Sequence, residues 1–377
     1  LVFPKPAHSR SQVNKAGDIL RDHELLTRPS TIELQEWERW LWAREVLGNW
    51  RACHNYPINT FQATLRMKLK GIDPDATVAR RLKRYPSILA KLVRFKGMKL
   101  ARMQDIGGLR AIVSSVRRVR MLEEAYRASK FRHKLVDSKD YIRNPKTDGY
   151  RSIHLVYKYQ NEREPAYDGL LLELQLRTRM QHAWATAVET MGTFLGQALK
   201  SGQGEGQWRA FFEVSGAAIA LLERCPPVPG YEGLTTLETF KRVADAEAKL
   251  HVLEKLRGFS VAADSIHREK GTGTAYHLIV LDSSNRSVTL RPYSIARLDQ
   301  ANDDYAEVER RTQSGEPIEA VLVAAGPVEA LRRAYPNYFL DTHGFISEIE
   351  RVIHEAQHPG VLTRRRSIVN PRRAKQA

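Results

Sequence analysis

The sequence predicts an α+β protein: a mixed β-sheet flanked by helices, a helical region ahead of it, and a small separate α+β segment behind. Three observations carry this. Helical spacing dominates from Thr31 to about Phe95, short β-like runs crowd between Leu109 and Thr178, and a second series of strand and helix patterns starts after "KGTGT". With 377 residues, 42% of them hydrophobic, the chain is long enough for two or three domains and can bury a real core.

In order along the chain, "TIELQEWERWLWAREVLGNW" sets Trp37, Trp40, Leu41 and Glu45 at spacings of three and four, so three tryptophans lie on or near one stripe and read as core. The runs "LRAIVSS", "RSIHLVYKY" and "LLLELQLRT" read as strands, separated by one helical stretch and by turn-rich segments. Helical spacing returns in "RMQHAWATAVETMGTFLGQAL" and ends at the loop "KSGQGEGQ". Two more helices, near Trp208 to Arg224 and Leu237 to Arg257, flank "CPPVPG". The last pattern, "YHLIVLD", "SVTLRPY", a helix near Ile295 to Thr312, "EAVLVAAG" and "PVEALRRAY", spells ββαβα, and the tail "TRRRSIVNPRRAKQA" reads as basic and disordered.

Sixty Lys plus Arg against 43 Asp plus Glu give a formal charge of +17, which favours nucleotides or RNA over a neutral small substrate, although a basic surface also serves solubility. Cys53 and Cys225 stand far apart with no Cys or His at metal-ligand spacing, so neither a disulfide framework nor a zinc site is expected, and a reducing cytoplasm suits them. No apolar run approaches the roughly 20 residues of a membrane span, and "LVFPKPAHSR" lacks the apolar stretch of a secretory signal. Position 1 is not Met, so a few residues are expected to precede this numbering.

Four stretches can carry chemistry. In "RRLKRYPSILAKLVRFKGMK", Pro86 suits a first helical turn, with Ser87 beside free backbone N–H groups and Lys91 one turn later; Arg80, Arg81, Lys83 and Arg84 precede it. That is a polyphosphate cradle or a solvated basic face. In "RMQDIGGLRAIV", Asp105 stands before a glycine pair and an apolar strand, where it either caps a turn or holds Mg²⁺ whose other ligands are phosphates; Arg110 lies over a base or a phosphate, or on the surface. In "DYIRNPKTDGYRSIHLVY", a loop with Lys146 leads to a strand on which Tyr150, Ser152 and His154 share one face, a base-stacking and phosphate site or a structural histidine. In "LLELQLRT", Glu173, Gln175 and Arg177 alternate with leucines, so Glu173 is either a second carboxylate facing Asp105 or a solvent-facing one. Trp184, on the helix that follows, reads as packing.

Taken in order, "RxKxxxSIxxK" (Arg81, Lys83, Ser87, Lys91), "DIGGLR" (Asp105 to Arg110), "DYIxxPKxxGYRSIH" (Asp140 to His154), "ELQLRT" (Glu173 to Thr178) and "WAxxxE" (Trp184 to Glu189) resemble the synthetase domain of the RelA/SpoT alarmone family over about Asn59 to Leu222. The resemblance implies a nucleotidyltransferase-like synthetase domain and a pyrophosphokinase that moves the β,γ-pyrophosphoryl group of ATP to a ribose 3′-hydroxyl. Carried over by position, Arg81 and Arg110 sandwich adenine, and Lys83, Ser87 and Lys91 hold the triphosphate. Asp105 binds Mg²⁺; Glu173 activates the 3′-hydroxyl with a share in the metal. Tyr150 stacks on the acceptor base, with Lys146, His154, Gln175 and Arg177 around its ribose and phosphates. The glycine pair replaces the family's commoner Ala-Gly, and no His-Asp dipeptide occurs, so the alarmone hydrolase domain of larger members is not expected; nor is their long ribosome-binding tail.

On this basis the domains are a helical region at 1–58, the synthetase at 59–225, a helical linker at 226–270, a ββαβα regulatory or sensing domain at 271–358 and the tail at 359–377. The first functional reading is a cytoplasmic enzyme making (p)ppGpp, or an adenosine analogue, from ATP and GDP or GTP. The second is a toxin-like relative acting on the tRNA 3′ CCA end, with the C-terminal domain as cis regulator or as sensor of a trigger such as a phage protein. The third is an inactive nucleotide-binding module, against which the intact Asp105 and Glu173 stand. The C-terminal domain offers only a lone His343 and Asp341.

Overall fold

The structure is a computed structural model that describes residues 3–21, 34–83, 85–198, 205–268, 274–282, 284–285, 287–314, 316, 318–325, 328 and 338–360. The expected helix at "PVEALRRAY", apart from Val328, and the basic tail lie outside the described residues, as does Arg84. The side chain of Asp341 is not described. The chain divides into two compact units, 1–141 with 152–178, and 142–151 with 179–377.

The first unit opens with helices α1 (Arg10–Arg21), α2 (Leu34–Cys53) and α3 (Asn55–Ile72). Strand β1 (Thr77–Leu82) and helix α4 (Tyr85–Arg94) precede β2 (Gly107–Val113), α5 (Val116–Arg127), β3 (Lys134–Asp140), β4 (Ile153–Lys158) and β5 (Leu171–Thr178). The five strands form one mixed sheet in the order β1-β2-β5-β4-β3, in which β2 and β5 run parallel and the other neighbours antiparallel.

One face of this sheet is apolar. Leu109, Ala111, Leu155, Tyr157, Leu172, Leu174 and Leu176 are buried on it, and α3 and α5 pack there; Ser115 caps α5 by accepting a hydrogen bond from the Arg118 N–H. Because β-strand side chains alternate, Arg110 on β2 and Glu173, Gln175 and Arg177 on β5 are delivered to the opposite face.

Two expectations need correction here. The helical pattern read from Thr31 to Phe95 is interrupted by β1, an edge strand whose residues are all at least partly exposed, so burial imprints no apolar run on "TVARRL". The tryptophan stripe is also not uniformly core: Trp40 and Trp50 are buried and Trp42 is half-buried, whereas Trp37 and Leu41 are each 43% exposed. Trp37 stacks on Trp40, 5.1 Å between centroids, and Arg44 lies over the Trp40 ring.

The second unit contains α6 (Arg179–Ala198), α7 (Glu205–Leu222), α8 (Thr236–Leu250), α9 (Val252–Arg268), β6 (Tyr276–Asp282), β7 (Ser287–Tyr293), α10 (Leu298–Gln313), β8 (Ile318–Ala324) and α11 (Tyr338–Gln357). Its strands form an antiparallel sheet β7-β6-β8. A core of Phe194 stacked on Phe259 at 4.4 Å, with Phe211, Phe212 and Phe345, ties its helices together. Thr235 and Glu238 form a capping box on α8. Helix α11 has no counterpart among the elements expected from the sequence, although Phe345, Ile346, Ile349, Val352 and Ala356, all buried, recur at helical spacing in "FISEIERVIHEA". No helix among the described residues is long and apolar enough to cross a membrane.

Candidate active site

The polar face of the five-stranded sheet collects most of the residues singled out above. Register places Arg81, Gly108 and Glu173 in one row across β1, β2 and β5, and Arg110, Gln175 and His154 in the next row across β2, β5 and β4. Directly paired residues share a face, so these side chains converge.

Gly108 is required there. A Cβ at this position would run into the Glu173 backbone carbonyl, and one at Gly107 would come within 2.7 Å of the Cβ of buried His54. The glycine pair therefore lets β2 lie close against β5 and α3.

Asp105 sits just before β2 and is held by two cations: Lys83 Nζ is 2.8 Å from Oδ2 and Lys91 Nζ is 2.8 Å from Oδ1. Lys83 follows β1, anchored by its N–H to the Ile106 carbonyl, and Lys91 comes from α4. Burial pushes the Asp105 carboxyl up, but the ammonium of Lys83 and then that of Lys91 outweigh it and bring the carboxyl down to about 2. Ser87 is exposed in the first turn of α4, beside Pro86, as the sequence leads one to expect.

Glu173 is held differently. His154 Nδ1 lies 2.9 Å from Oε1 and Gln175 Nε2 donates to Oε2 at 2.7 Å, while Arg81 Nη1 stands 3.7 Å from Oε2. Burial works against its charge, yet the His154 hydrogen bond and the nearby Arg81 keep it below the usual carboxylate range; the charge of Asp105 is felt in the opposite direction. Burial lowers His154, so the ring is neutral at pH 7, and facing a carboxylate it carries its proton on Nδ1.

Around this pair the cations are graded by depth. Arg81 is partly exposed, whereas Arg110 and Arg177 are buried at 7% and 3% exposure. Arg110 Nε and Arg177 Nη2 both donate to Gln175 Oε1, at 3.4 and 3.2 Å, and Arg177 Nε donates to Ser152 Oγ at 3.4 Å. Tyr141, not among the residues singled out from the sequence, meets the His154 ring edge-on at 5.3 Å; its signal is its place inside "DYIRNPK".

The structure brings Arg81, Lys83, Lys91, Asp105, Arg110, His154, Glu173, Gln175 and Arg177 together within the first unit. Lys146 and Tyr150 belong to the second unit, so the strand parity expected for Tyr150, Ser152 and His154 is corrected: β4 begins only at Ile153. Gly149 has φ of 88° and turns the chain ahead of the strand, and a Cβ on Gly216 of α7 would come within 2.8 Å of the Gly149 Cα. Arg151 is buried against Glu223 at 3.4 Å. In this loop Lys146 Nζ lies 5.0 Å over the Tyr150 ring. Trp184 packs beside Tyr150 and donates its indole N–H to the Phe212 carbonyl at 2.9 Å.

A family model described as "Region found in RelA / SpoT proteins" matches residues 80–192, which contain this polar face from Arg81 to Arg177. Residues 80–192 thus form a RelA/SpoT region. The RelA/SpoT region is homologous to small alarmone synthetases: the chain is 37% identical over 135 residues to the GTP pyrophosphokinase YjbM of Bacillus subtilis (strain 168), covering 32% of this chain and 63% of that protein. It is 29% identical over 124 residues to the GTP pyrophosphokinase YwaC of the same organism, covering 31% of this chain and 58% of that protein. The chain thus spans less than two thirds of the length of either relative.

Among solved structures it is similar to small alarmone synthetase 1 from Bacillus subtilis bound to its product pppGpp, at 28% identity over 50% of this chain and 94% of that one, with a TM-score of 0.38. The complex of the same synthetase with AMPCPP gives 25% identity over 50% and 93%, with a TM-score of 0.33.

Among the described residues no three His, Cys, Asp or Glu side chains form a metal cage. Two ionised carboxylates set among cations nevertheless fit Mg²⁺, which characteristically takes one or two protein carboxylates and completes its shell with phosphate oxygens and water.

Proposed function

We propose that the RelA/SpoT region transfers the β,γ-pyrophosphoryl group of ATP to the ribose 3′-hydroxyl of GDP or GTP, giving (p)ppGpp. The observation that carries this is the pair of ionised carboxylates, Asp105 and Glu173, each paired with a cation from one short segment at the end of β1: Lys83 with Asp105, Arg81 with Glu173. The guanosine acceptor is supported by the two GTP pyrophosphokinases to which the chain is similar.

In this reading Lys83 and Lys91 turn from Asp105 to the triphosphate, Ser87 adds the free N–H groups of the α4 start, and Arg81 and Arg110 flank the adenine. Asp105, with Glu173, would hold Mg²⁺, which when bound neutralises charge on the phosphates. Glu173, fixed by the Nδ1–H of His154, takes the proton of the acceptor 3′-hydroxyl. The 3′-oxygen attacks the β-phosphorus of ATP, the bond to the α,β-bridging oxygen breaks, and AMP leaves. Arg177 supplies positive charge on the Glu173 face, and Lys146 and Tyr150 keep the acceptor contacts that the resemblance implies. Segment 271–358, which carries the β7-β6-β8 sheet, is proposed as a regulatory or sensing module.

The test is incubation with γ-labelled ATP and, separately, GDP, GTP, ATP or deacylated tRNA. Label on a guanosine nucleotide with release of AMP is expected. Label on tRNA alone would replace the acceptor with the CCA end, and label nowhere would leave a nucleotide-binding module.

A further inference from the structure

The resemblance places Gln175 among the residues around the acceptor, but the geometry assigns it another task. Gln175 is 2% exposed on the strand at the middle of the sheet, between β2 and β4. Its Nε2 donates to Glu173 Oε2 at 2.7 Å, and its Oε1 accepts from Arg110 Nε at 3.4 Å and Arg177 Nη2 at 3.2 Å. The orientation of this amide is not free. An ionised carboxylate only accepts and a guanidinium only donates, so the amide must turn its NH₂ to Glu173 and its oxygen to the arginines, where both lone pairs are used.

We infer that Gln175 is a positioning residue: it joins one carboxylate to two guanidiniums and fixes all three at once, without touching either nucleotide. No other side chain of its size does this. Glutamate would serve Arg110 and Arg177 but set a like charge against Glu173. Methionine would keep the volume yet leave the carboxylate oxygen and both guanidiniums without that partner. The amide thus sets the direction in which Glu173 presents its carboxylate and the spacing between Arg110 on β2 and Arg177 further along β5. Its register partner Arg110 and its neighbour in the next strand, His154, place it at the centre of the polar row.

The kinetic part of this inference rests on the pyrophosphokinase reading; the structural part does not. The experiment is Gln175→Met in the full chain, measured two ways. In label transfer, misplacing the base and two cations by even a fraction of an ångström should cost kcat about 100-fold. The acceptor KM should change far less than kcat, because no direct contact to the nucleotide is removed. In a crystal structure of the variant, the Glu173 carboxylate and the two guanidiniums should leave their present positions while the β2–β5 register holds. An acceptor KM raised about tenfold with kcat retained would make Gln175 a ligand contact and overturn the inference. Unmoved Glu173, Arg110 and Arg177 side chains in the crystal would overturn it as well. If wild type transfers no label, the pyrophosphokinase reading fails, and the crystal comparison still decides the role of Gln175. Should the methionine variant not fold, Gln175→Glu answers the same question: kcat should drop with both arginines in place, and wild-type kcat would contradict the role.

Discussion

Asp105, just before β2, and Glu173, on β5, are two carboxylates at one end of a polar site, and they are kept ionised by opposite means. Asp105 is neutralised by mobile charge: both its oxygens are held by ammonium groups at the ends of long, flexible side chains. Glu173 is held by a neutral imidazole on the neighbouring strand β4 and a buried amide on its own strand, with the Arg81 guanidinium standing off at 3.7 Å. A carboxylate whose partners can swing away suits a site where phosphates and a metal arrive and compete for the same charges. One fixed by strand-borne hydrogen bonds suits a group that must meet a single proton at a set place. The difference predicts that the two residues fail in different ways when altered.

The largest effect is expected at Glu173. Glu173→Gln keeps the shape and removes the base, so kcat should fall by about 10³, while ATP binding stays within about threefold of wild type; rapid-quench turnover and calorimetry read the two quantities separately. Next comes Lys83→Ala, which takes the deeper of the two ammonium groups from the triphosphate cradle. A loss of about tenfold in ATP affinity, or about 1.4 kcal/mol, is expected by calorimetry with Mg²⁺ present, and a loss confined to the acceptor KM would count against the division. Gly108→Ala drives a Cβ into the Glu173 carbonyl and should lower stability by about 1–3 kcal/mol, seen as a reduced denaturant midpoint.

The smallest effect is a pH one. Asp105 titrates at about 2 in the folded chain, below the roughly 3.9 of an unfolded aspartate. A depressed carboxylate contributes stability that is present above its unfolded value and lost as pH falls through the folded one. Wild type should therefore lose stability between about pH 4 and about pH 2, and Asp105→Asn should flatten that part of the curve in acid-denaturation experiments.

The same contrast between rigid and mobile surroundings explains what is legible in the sequence. Strands β2, β4 and β5, the three in the middle of the sheet, are visible as apolar or alternating runs because both neighbours and both faces constrain them. Both edge strands escape: "TVARRL" passes for helix and "KLVDSKD" is not read as a strand, since a half-solvated edge tolerates Arg, Lys, Asp and Ser at alternate positions. The site residues on the central strands fall where parity puts them, with Glu173, Gln175 and Arg177 on one face. Tyr150 does not follow its parity, because the positive φ of Gly149 and the buried Arg151–Glu223 pair turn the chain before β4 starts, and neither leaves a periodic mark in the sequence. The role of Gln175 is hidden for another reason. Glu173 and Arg177 stand two residues to either side on its own strand, but that Arg110 of β2 joins them is set by register, which is not written in a single run of residues.

The division of labour between the carboxylates is tested most directly by titrating ATP, in the presence of EDTA, into wild type, Asp105→Asn and Glu173→Gln by calorimetry. Removing the charge at Asp105 frees Lys83 and Lys91 for the triphosphate, so the asparagine variant should bind metal-free ATP about tenfold more tightly than wild type, with Glu173→Gln unchanged. Equal affinities in all three proteins, or weaker binding by Asp105→Asn, would contradict the account.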